Sequence, residues 1–323
     1  MNALCLQCGK QLPLRTDETS GDYTCACGCT IPYSHGIYRF AEKNDFYEGK
    51  FVETQISDTF RRRFARLIRT ALSIDGSEER MWRKGLRYIR KYRSDYGALQ
   101  VLNVGCGGGH AFLKALGTVT SVDISTQSLV HARHVCDYCY QADAGRLPFA
   151  DESFDAVFSA HLLGHIPLDK KQAVIKEIYR VTKKGGFSLH SAECEADNLI
   201  YRKAKKYPAL YRKYFQEKYG HYGIELPALC KKRFRDESFT PVYEISDYCK
   251  GFVRPAPSYD DFFGAKEFSE KEMLFFVLAF ISKILSANSL TSFVAGIFLY
   301  PWTLLNRIGG PDSVDSVKLL YRK

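Results

Sequence analysis

No stretch of this 323-residue chain reaches the roughly 20 consecutive apolar residues that a membrane-spanning helix needs. Its two most apolar runs, 273–285 and 293–305, hold 13 residues each, and Lys283 and Asn288 interrupt them. Glycine (24) and proline (11) are too sparse for a collagen-like or low-complexity chain. Disorder is excluded from the other side, because 22 Phe and 21 Tyr far exceed what a solvated tail carries. No internal repeat is visible. No secretory leader is expected, since the first ten residues are short, polar and interrupted by Cys5 and Cys8. Eleven cysteines, an odd number, then argue against a disulfide framework and for a reduced compartment, so the expected location is cytoplasmic.

Acid is also in short supply: 36 Asp+Glu stand against 46 Lys+Arg, a formal charge of +10. Such an excess invites a polyanionic partner, but its location matters more than its size. Residues 61–93 carry +9 and residues 202–218 carry +6, whereas 99–195 carry −1. The chain accordingly reads as a cysteine-rich head (1–41), a basic helical linker (42–97), and a near-neutral core from 98 that extends through an aromatic, basic insertion at about 196–310 to residue 323.

The core alternates strand and helix patterns. Apolar runs at Val101–Val104, Val119–Val122, Phe154–Ser159 and Phe187–His190 predict strands, the last preceded by a helix over Asp169–Thr182 that stops at Gly185-Gly186. Strands separated by helical stretches of about 10–15 residues indicate a parallel sheet, hence an α/β fold. Directly after the first strand comes Gly105-Cys106-Gly107-Gly108-Gly109. Glycines at that point let the backbone turn sharply and approach a ligand. A dinucleotide fingerprint would need a glycine where His110 stands. The second strand ends in Asp123, where an acid can accept from both hydroxyls of a ribose; a helix N-cap is the plainer reading.

In the head, Cys5-x2-Cys8 and Cys25-x-Cys27-x-Cys29 form two thiolate groups separated by sixteen residues. Paired cysteines of this kind suit tetrahedral zinc, and a metal would stabilise a segment too short for a core of its own. Four of these five thiols are the expected ligands, with Cys27 and Cys29 competing for the fourth position. Cys136-x2-Cys139 looks similar but approaches a strand, and reads as core packing.

The order of motifs in 99–195 resembles the ubiquinone/menaquinone-type branch of the class I S-adenosylmethionine-dependent methyltransferases. The resemblance is carried by VLNVGCGGG, by Asp123 at the second strand end, by QADAGRLPFADESFDAVFSAHLLGHIP, and by Tyr179–Gly186 (YRVTKKGG). It implies a Rossmann-like sheet with helices on both faces and S-adenosylmethionine as cofactor. It further implies a cofactor pocket made by Asn103, Gly105, Cys106, Gly107, Gly109, Asp123, Ile124, Asp143, Ala144 and Ser159. In that pocket the glycines would cradle the methionine end, Asp123 the ribose, and Asp143 with Ala144 the adenine. Asn103 departs from the family's usual Asp. The head (CLQCGKQL … CACGCTIPYSHGIYRF) resembles the zinc-ribbon partners of translation-associated methyltransferases, with Pro32, Gly36 and Ile37 in place and His35 replacing the usual Asp.

The activated methyl donor leaves the protein mainly to align donor and acceptor, with a general base needed only for a protonated acceptor. His161, just past the Phe154–Ser159 strand, is the candidate base; His165, in the family's L-x-H-I position, is the second and weaker one. Strands at Phe239–Ser246 and Ser316–Arg322 would complete the sheet. Before them, interleaved Tyr and Lys/Arg at 201–222 suit either anionic contacts or a cover helix. The two apolar runs suit either a buried hairpin or a peripheral membrane contact. The expected function is methyl transfer to a small-molecule, lipid-linked or glycan-type acceptor. The alternatives are an RNA methyltransferase docking through head and basic flanks, and a non-catalytic binding scaffold.

Overall fold

A computed structural model describes residues 2–13, 20–42, 44–49, 77–195, 199–248, 262, 265–274, 276–277, 280 and 314–323. Five parallel strands form its centre: β4 (Leu99–Val104), β5 (Gly117–Asp123), β6 (Tyr138–Gln141), β7 (Phe154–Ala160) and β8 (Thr182–Glu193). Two C-terminal strands, β9 (Thr240–Tyr248) and β10 (Val314–Arg322), complete the order β6-β5-β4-β7-β8-β10-β9, with β10 antiparallel to both neighbours. The expected α/β sheet is therefore present, and both C-terminal strands form where the sequence predicts them. β8 is longer than its apolar run implies. It starts at Thr182, pairs that residue with Phe154, and absorbs Gly185-Gly186 in a register shift before Phe187.

The chain leaves β4 for β5 and β6 on one side, then returns to β7 and β8 on the other. In such a sheet the crevice at the C-terminal ends of the two strands flanking the reversal is open to a ligand. Alternation along each strand sends residues to two different cores. Leu102, Val104, Val122 and Val157 join one; Val101, Val119, Ala156 and Phe158 join the other. Helix α1 (Ser77–Tyr92) covers the second core with Trp82 and Ile89. Helices α2 (Thr126–Ala132) and α3 (Leu168–Val181) follow β5 and β7. α3 forms because Val174, Ile175, Ile178 and Val181 recur at helical spacing and bury one stripe against the first core.

The cysteine-rich head joins this sheet. Its strands β1 (Ser20–Thr24), β2 (Thr30–Ser34) and β3 (Ile37–Arg39) form an antiparallel meander, and β3 then pairs in parallel with β6, so ten strands run continuously. Ala3, Cys5, Leu12, Cys25, Ile31, Tyr33 and Tyr38 belong to the same core as Leu102 and Val122. Tyr38 stacks on Tyr140 at 6.4 Å and donates its hydroxyl to the Pro13 carbonyl at 3.0 Å.

After β8 come α4 (Leu199–Lys205), α5 (Pro208–Tyr211), a π-turn (Arg212–Glu217) and α6 (Pro227–Asp236). Tyr207, Tyr211 and Tyr214 pack against a small satellite core of Ala204, Phe215, Phe262, Ala265 and Phe268. These three rings are cover rather than exposed ligand contacts, whereas Tyr222 is exposed. Residues 50–76 of the basic linker, all of 293–305 and most of 273–285 lie outside the described residues. Among those described, no helix is long and apolar enough to cross a membrane.

Candidate active site

At the end of β4, Gly105 takes φ +63°, and a Cβ there would come within 2.7 Å of Leu162 Cδ1. Gly109 takes φ +89°, and its Cβ would fall 2.5 Å from Val135 Cγ2 and 3.2 Å from the Ala132 backbone. Both the left-handed backbone and the lack of space demand glycine here. Asp123, at the end of β5, ties the turn down: Oδ2 accepts from Gly107 N–H at 2.8 Å and Oδ1 from Ser125 N–H at 2.9 Å. The helix that follows is capped instead by Ser125, whose Oγ accepts from Ser128 N–H at 3.1 Å. Asp123 is thus no N-cap. Burial pushes its carboxyl above the ordinary range, with Glu48 adding to the effect and the N–H groups of Ser125, Gly107 and Ile124 opposing it.

Asn103 is fully buried. Its Nδ2 lies 3.2 Å from His110 Nδ1, while its Oδ1 has no hydrogen-bond partner among the described residues. An orphaned buried acceptor beside the glycine turn fits a ligand that brings a donor. Gln141, at the end of β6, donates from Nε2 to the Ile124 carbonyl at 3.1 Å and leaves Oε1 in the same condition. Ile124 is half-buried, Ala144 likewise, and Asp143 is exposed with its Oδ1 accepting from Gly145 N–H at 2.8 Å. Two predicted residues turn their side chains elsewhere. Cys106 packs into a small core with Ile37, Leu129, Ala132 and Cys139. Ser159 is fully buried in β7 with its hydroxyl 2.7 Å from His190 Nδ1. Cys139 lies within β6 and is core, as expected, with Cys136 packed against it.

His161 follows β7 directly. It is a non-glycine residue at φ +58°, held by its N–H to the Ser191 carbonyl at 2.9 Å, and strain of this kind concentrates at functional sites. Its Nδ1 donates to Glu193 Oε1 at 2.7 Å, and its side chain is 44% exposed. Burial alone would raise Glu193, but His161, His165 and His221 face it and hold its carboxyl down at about 2. His165 Nδ1 donates to the Gly220 carbonyl at 3.1 Å, and its ring lies 5.1 Å from that of His221. Burial pushes His221 down to about 4.

Sequence reasoning missed Glu193, His221 and a short strap at 44–49. Glu48 accepts from Gln127 N–H at 2.7 Å and Thr126 N–H at 3.3 Å, at the start of α2. The neighbouring Tyr47 donates its hydroxyl to the His165 carbonyl at 3.4 Å. The strap therefore reaches from Asp123 to the histidines. Listing the acids just past strand ends would have brought up Glu193; nothing in the sequence marks the strap.

In the head, Cys5, Cys8, Cys25 and Cys27 come together, with all four sulfurs within 4.8 Å of one another. Cys5 Sγ lies 3.7 Å from Cys27 Sγ, and Cys8 Sγ 3.6 Å from Cys25 Sγ. A tetrahedron with zinc–sulfur bonds near 2.3 Å has edges of about 3.8 Å, so the donor set fits that ion. Cys29 is not among them. Burial and the nearby thiols of Cys5, Cys27 and Cys25 push its own thiol up, and the residue packs half-buried against the core.

Residues 102–189 match the family model described as a methyltransferase domain. The malonyl-[acyl-carrier protein] O-methyltransferase of Pectobacterium atrosepticum is 35% identical over 96 residues, 28% of this chain and 37% of the relative. The ubiquinone/menaquinone biosynthesis C-methyltransferase of Desulfotalea psychrophila is 31% identical over 167 residues, 46% of this chain and 58% of the relative. The chain thus spans 37% and 58% of the length of these two curated relatives. Among solved structures, phosphoethanolamine N-methyltransferase 2 of Haemonchus contortus with S-adenosyl-L-methionine is 20% identical, covering 75% of this chain and 52% of that one at a TM-score of 0.45. The match to the methyltransferase-domain model runs from β4 into β8 and takes in the glycine turn and Asp123.

Proposed function

We propose that this protein transfers the methyl group of S-adenosylmethionine to a small-molecule or lipid-linked acceptor. The observation that carries the reading is the glycine turn clamped by Asp123 at the sheet's reversal point, with the buried Asn103 Oδ1 left for a donor. The names of the sequence relatives support the acceptor class, since both act on small or carrier-bound molecules by their names. When bound, the cofactor supplies an electrophilic methyl group. The chain's own residues do the rest. Gly105 and Gly109 keep the turn free of side chains, Asp123 and Gln141 offer acceptors at adjacent strand ends, and Asp143 with Ala144 borders the adenine side.

His161 is the group we place on the acceptor's proton. Donation from Nδ1 to Glu193 puts the lone pair on Nε2, at the rim of the same crevice. Glu193 is then the residue that orients it, as a carboxylate orients the base in hydrolytic triads. Cys5, Cys8, Cys25 and Cys27 hold a structural zinc in this reading, and the head (1–41) docks on the edge of the methyltransferase domain (98–323). Calorimetry with S-adenosylhomocysteine should register stoichiometric binding, and labelled methyl groups should enter a small-molecule or lipid extract. No heat at millimolar ligand refutes the cofactor assignment. Label appearing only in RNA would replace the acceptor class. His161→Asn should abolish transfer while leaving cofactor affinity in place.

A further inference from the structure

A second set of metal-type donors lies at the C-terminal ends of β7 and β8, apart from the cysteines. His165 comes from the loop between β7 and α3, Glu193 is the last residue of β8, and His221 lies between the π-turn and α6. Their donor atoms all fall within 4.8 Å of one another. Three separate chain segments thus bring two imidazoles and a carboxylate to one point.

Two features separate this group from a chance meeting of polar side chains. Glu193 Oε2 and His221 Nδ1 are both buried with no hydrogen-bond partner among the described residues. A buried polar atom left without a partner is destabilising, and a bound ion would recover that cost. In addition, the ligating groups have outer partners. His165 Nδ1 donates to the Gly220 carbonyl at 3.1 Å, which fixes the tautomer with the lone pair on Nε2. Glu193 Oε1 accepts from His161 at 2.7 Å, which turns the other oxygen toward the group. A carbonyl acceptor orients a metal-binding imidazole and raises its basicity, and a donor on one carboxylate oxygen fixes which oxygen stays free. The segment carrying His221 is itself anchored, since Lys171 reaches the Gly223 carbonyl and Glu225 from α3.

We propose that His165, Glu193 and His221 bind one divalent transition-metal ion. Two imidazoles with one carboxylate select zinc-type borderline ions over magnesium or calcium, which prefer all-oxygen shells. Three protein donors leave coordination positions for water or for an acceptor oxygen. The site borders the glycine turn, because Leu162, between His161 and His165, packs on Gly105. An acceptor with an enolate, phenolate or carboxylate oxygen is the class such an ion would hold there; that clause alone rests on the proposed methyl transfer.

The test is metal uptake by the full chain, which needs no turnover. Chelator-dialysed protein is titrated with Co2+ alone and followed by absorbance and metal analysis. Two ions per chain are expected: one with intense thiolate-to-cobalt bands from the head, and one with only weak nitrogen/oxygen-type bands. His165→Ala/His221→Ala should remove the second ion and keep the first, whose thiolate bands report that the fold survives. Should that pair of changes unfold the chain, Glu193→Gln and His221→Gln, tested singly, should each weaken the second ion by more than about tenfold. A wild-type chain that takes up only the thiolate-bound ion overturns the proposal, as does a second ion whose affinity is the same in the wild type and in these variants.

Discussion

Replacing Asp123 by Asn tests whether this acid is a cofactor ligand or only a loop clamp. The change keeps size and shape but turns one carboxylate oxygen into an NH2 group. Both oxygens already accept backbone donors, from Gly107 at 2.8 Å and Ser125 at 2.9 Å. Whichever way the amide turns, one of those N–H groups then faces a donor. A hydrogen bond to a charged acceptor contributes ~1.5–3 kcal/mol, so the fold should lose roughly that much. The helix start is spared, because Ser125 supplies the cap. If Asp123 also accepts a ribose hydroxyl, a second charged bond of the same size is lost, and affinity falls by ~10- to 150-fold. Denaturant titration measures the first quantity and calorimetry with S-adenosylhomocysteine the second. A variant that loses stability yet binds within about twofold of wild type refutes the ribose role and leaves only the clamp.

Other changes probe separate parts of the molecule. Cys27→Ser should lose the thiolate-bound metal and Cys29→Ser should keep it, read by cobalt charge-transfer bands; equal loss in both would undo the four-sulfur assignment. Lys171 and Glu225 are 1% and 3% exposed, and Arg233 bonds the same carboxylate at 2.8 Å. Glu225→Gln strands the Lys171 ammonium and should cost about 3–5 kcal/mol, whereas Lys171→Met leaves Glu225 still paired with Arg233 and should cost less; denaturation curves in the opposite order would refute the ranking. Burial would raise the Asp155 carboxyl, but Gln100 N–H, Arg93 and Lys183 outweigh it and hold it below the ordinary range. Its contribution to stability is therefore complete above the unfolded value near 3.9 and lost as pH falls through the lower folded value. Asp155→Asn should flatten the stability–pH curve in that acid window, and an unchanged slope would argue against the ion pairs.

How much of this was legible in the sequence follows from the range of the forces involved. Four of the five central strands stand out as apolar runs, whereas β6 (Tyr138–Gln141) carries no such run, and the glycine turn is visible because its backbone excludes every other residue. Asp123 could be singled out by its position at a strand end, although its two backbone bonds could not. The meeting of His161 with Glu193 is different in kind, since it depends on how β7 and β8 are aligned. The pairs Ser159–His190 and Ala160–Ser191 set that alignment, and the two rim residues follow from it. β8 itself continues past His190 to Glu193, so a strand read only from its apolar run, Phe187–His190, stops short of the acid. The head shows the same division. Spacing supplied five thiols and no choice between Cys27 and Cys29. The choice is made by tertiary placement, which brings Cys27 Sγ to 3.7 Å from Cys5 Sγ and completes the group of four. Pairing of β3 with β6 is set by neither motif nor spacing, and it is what makes the head's core continuous with that of the sheet. Local rules thus yielded the residues that must be what they are. The tertiary register decided which of them meet, and the histidine–glutamate group at the rim exists only at that level.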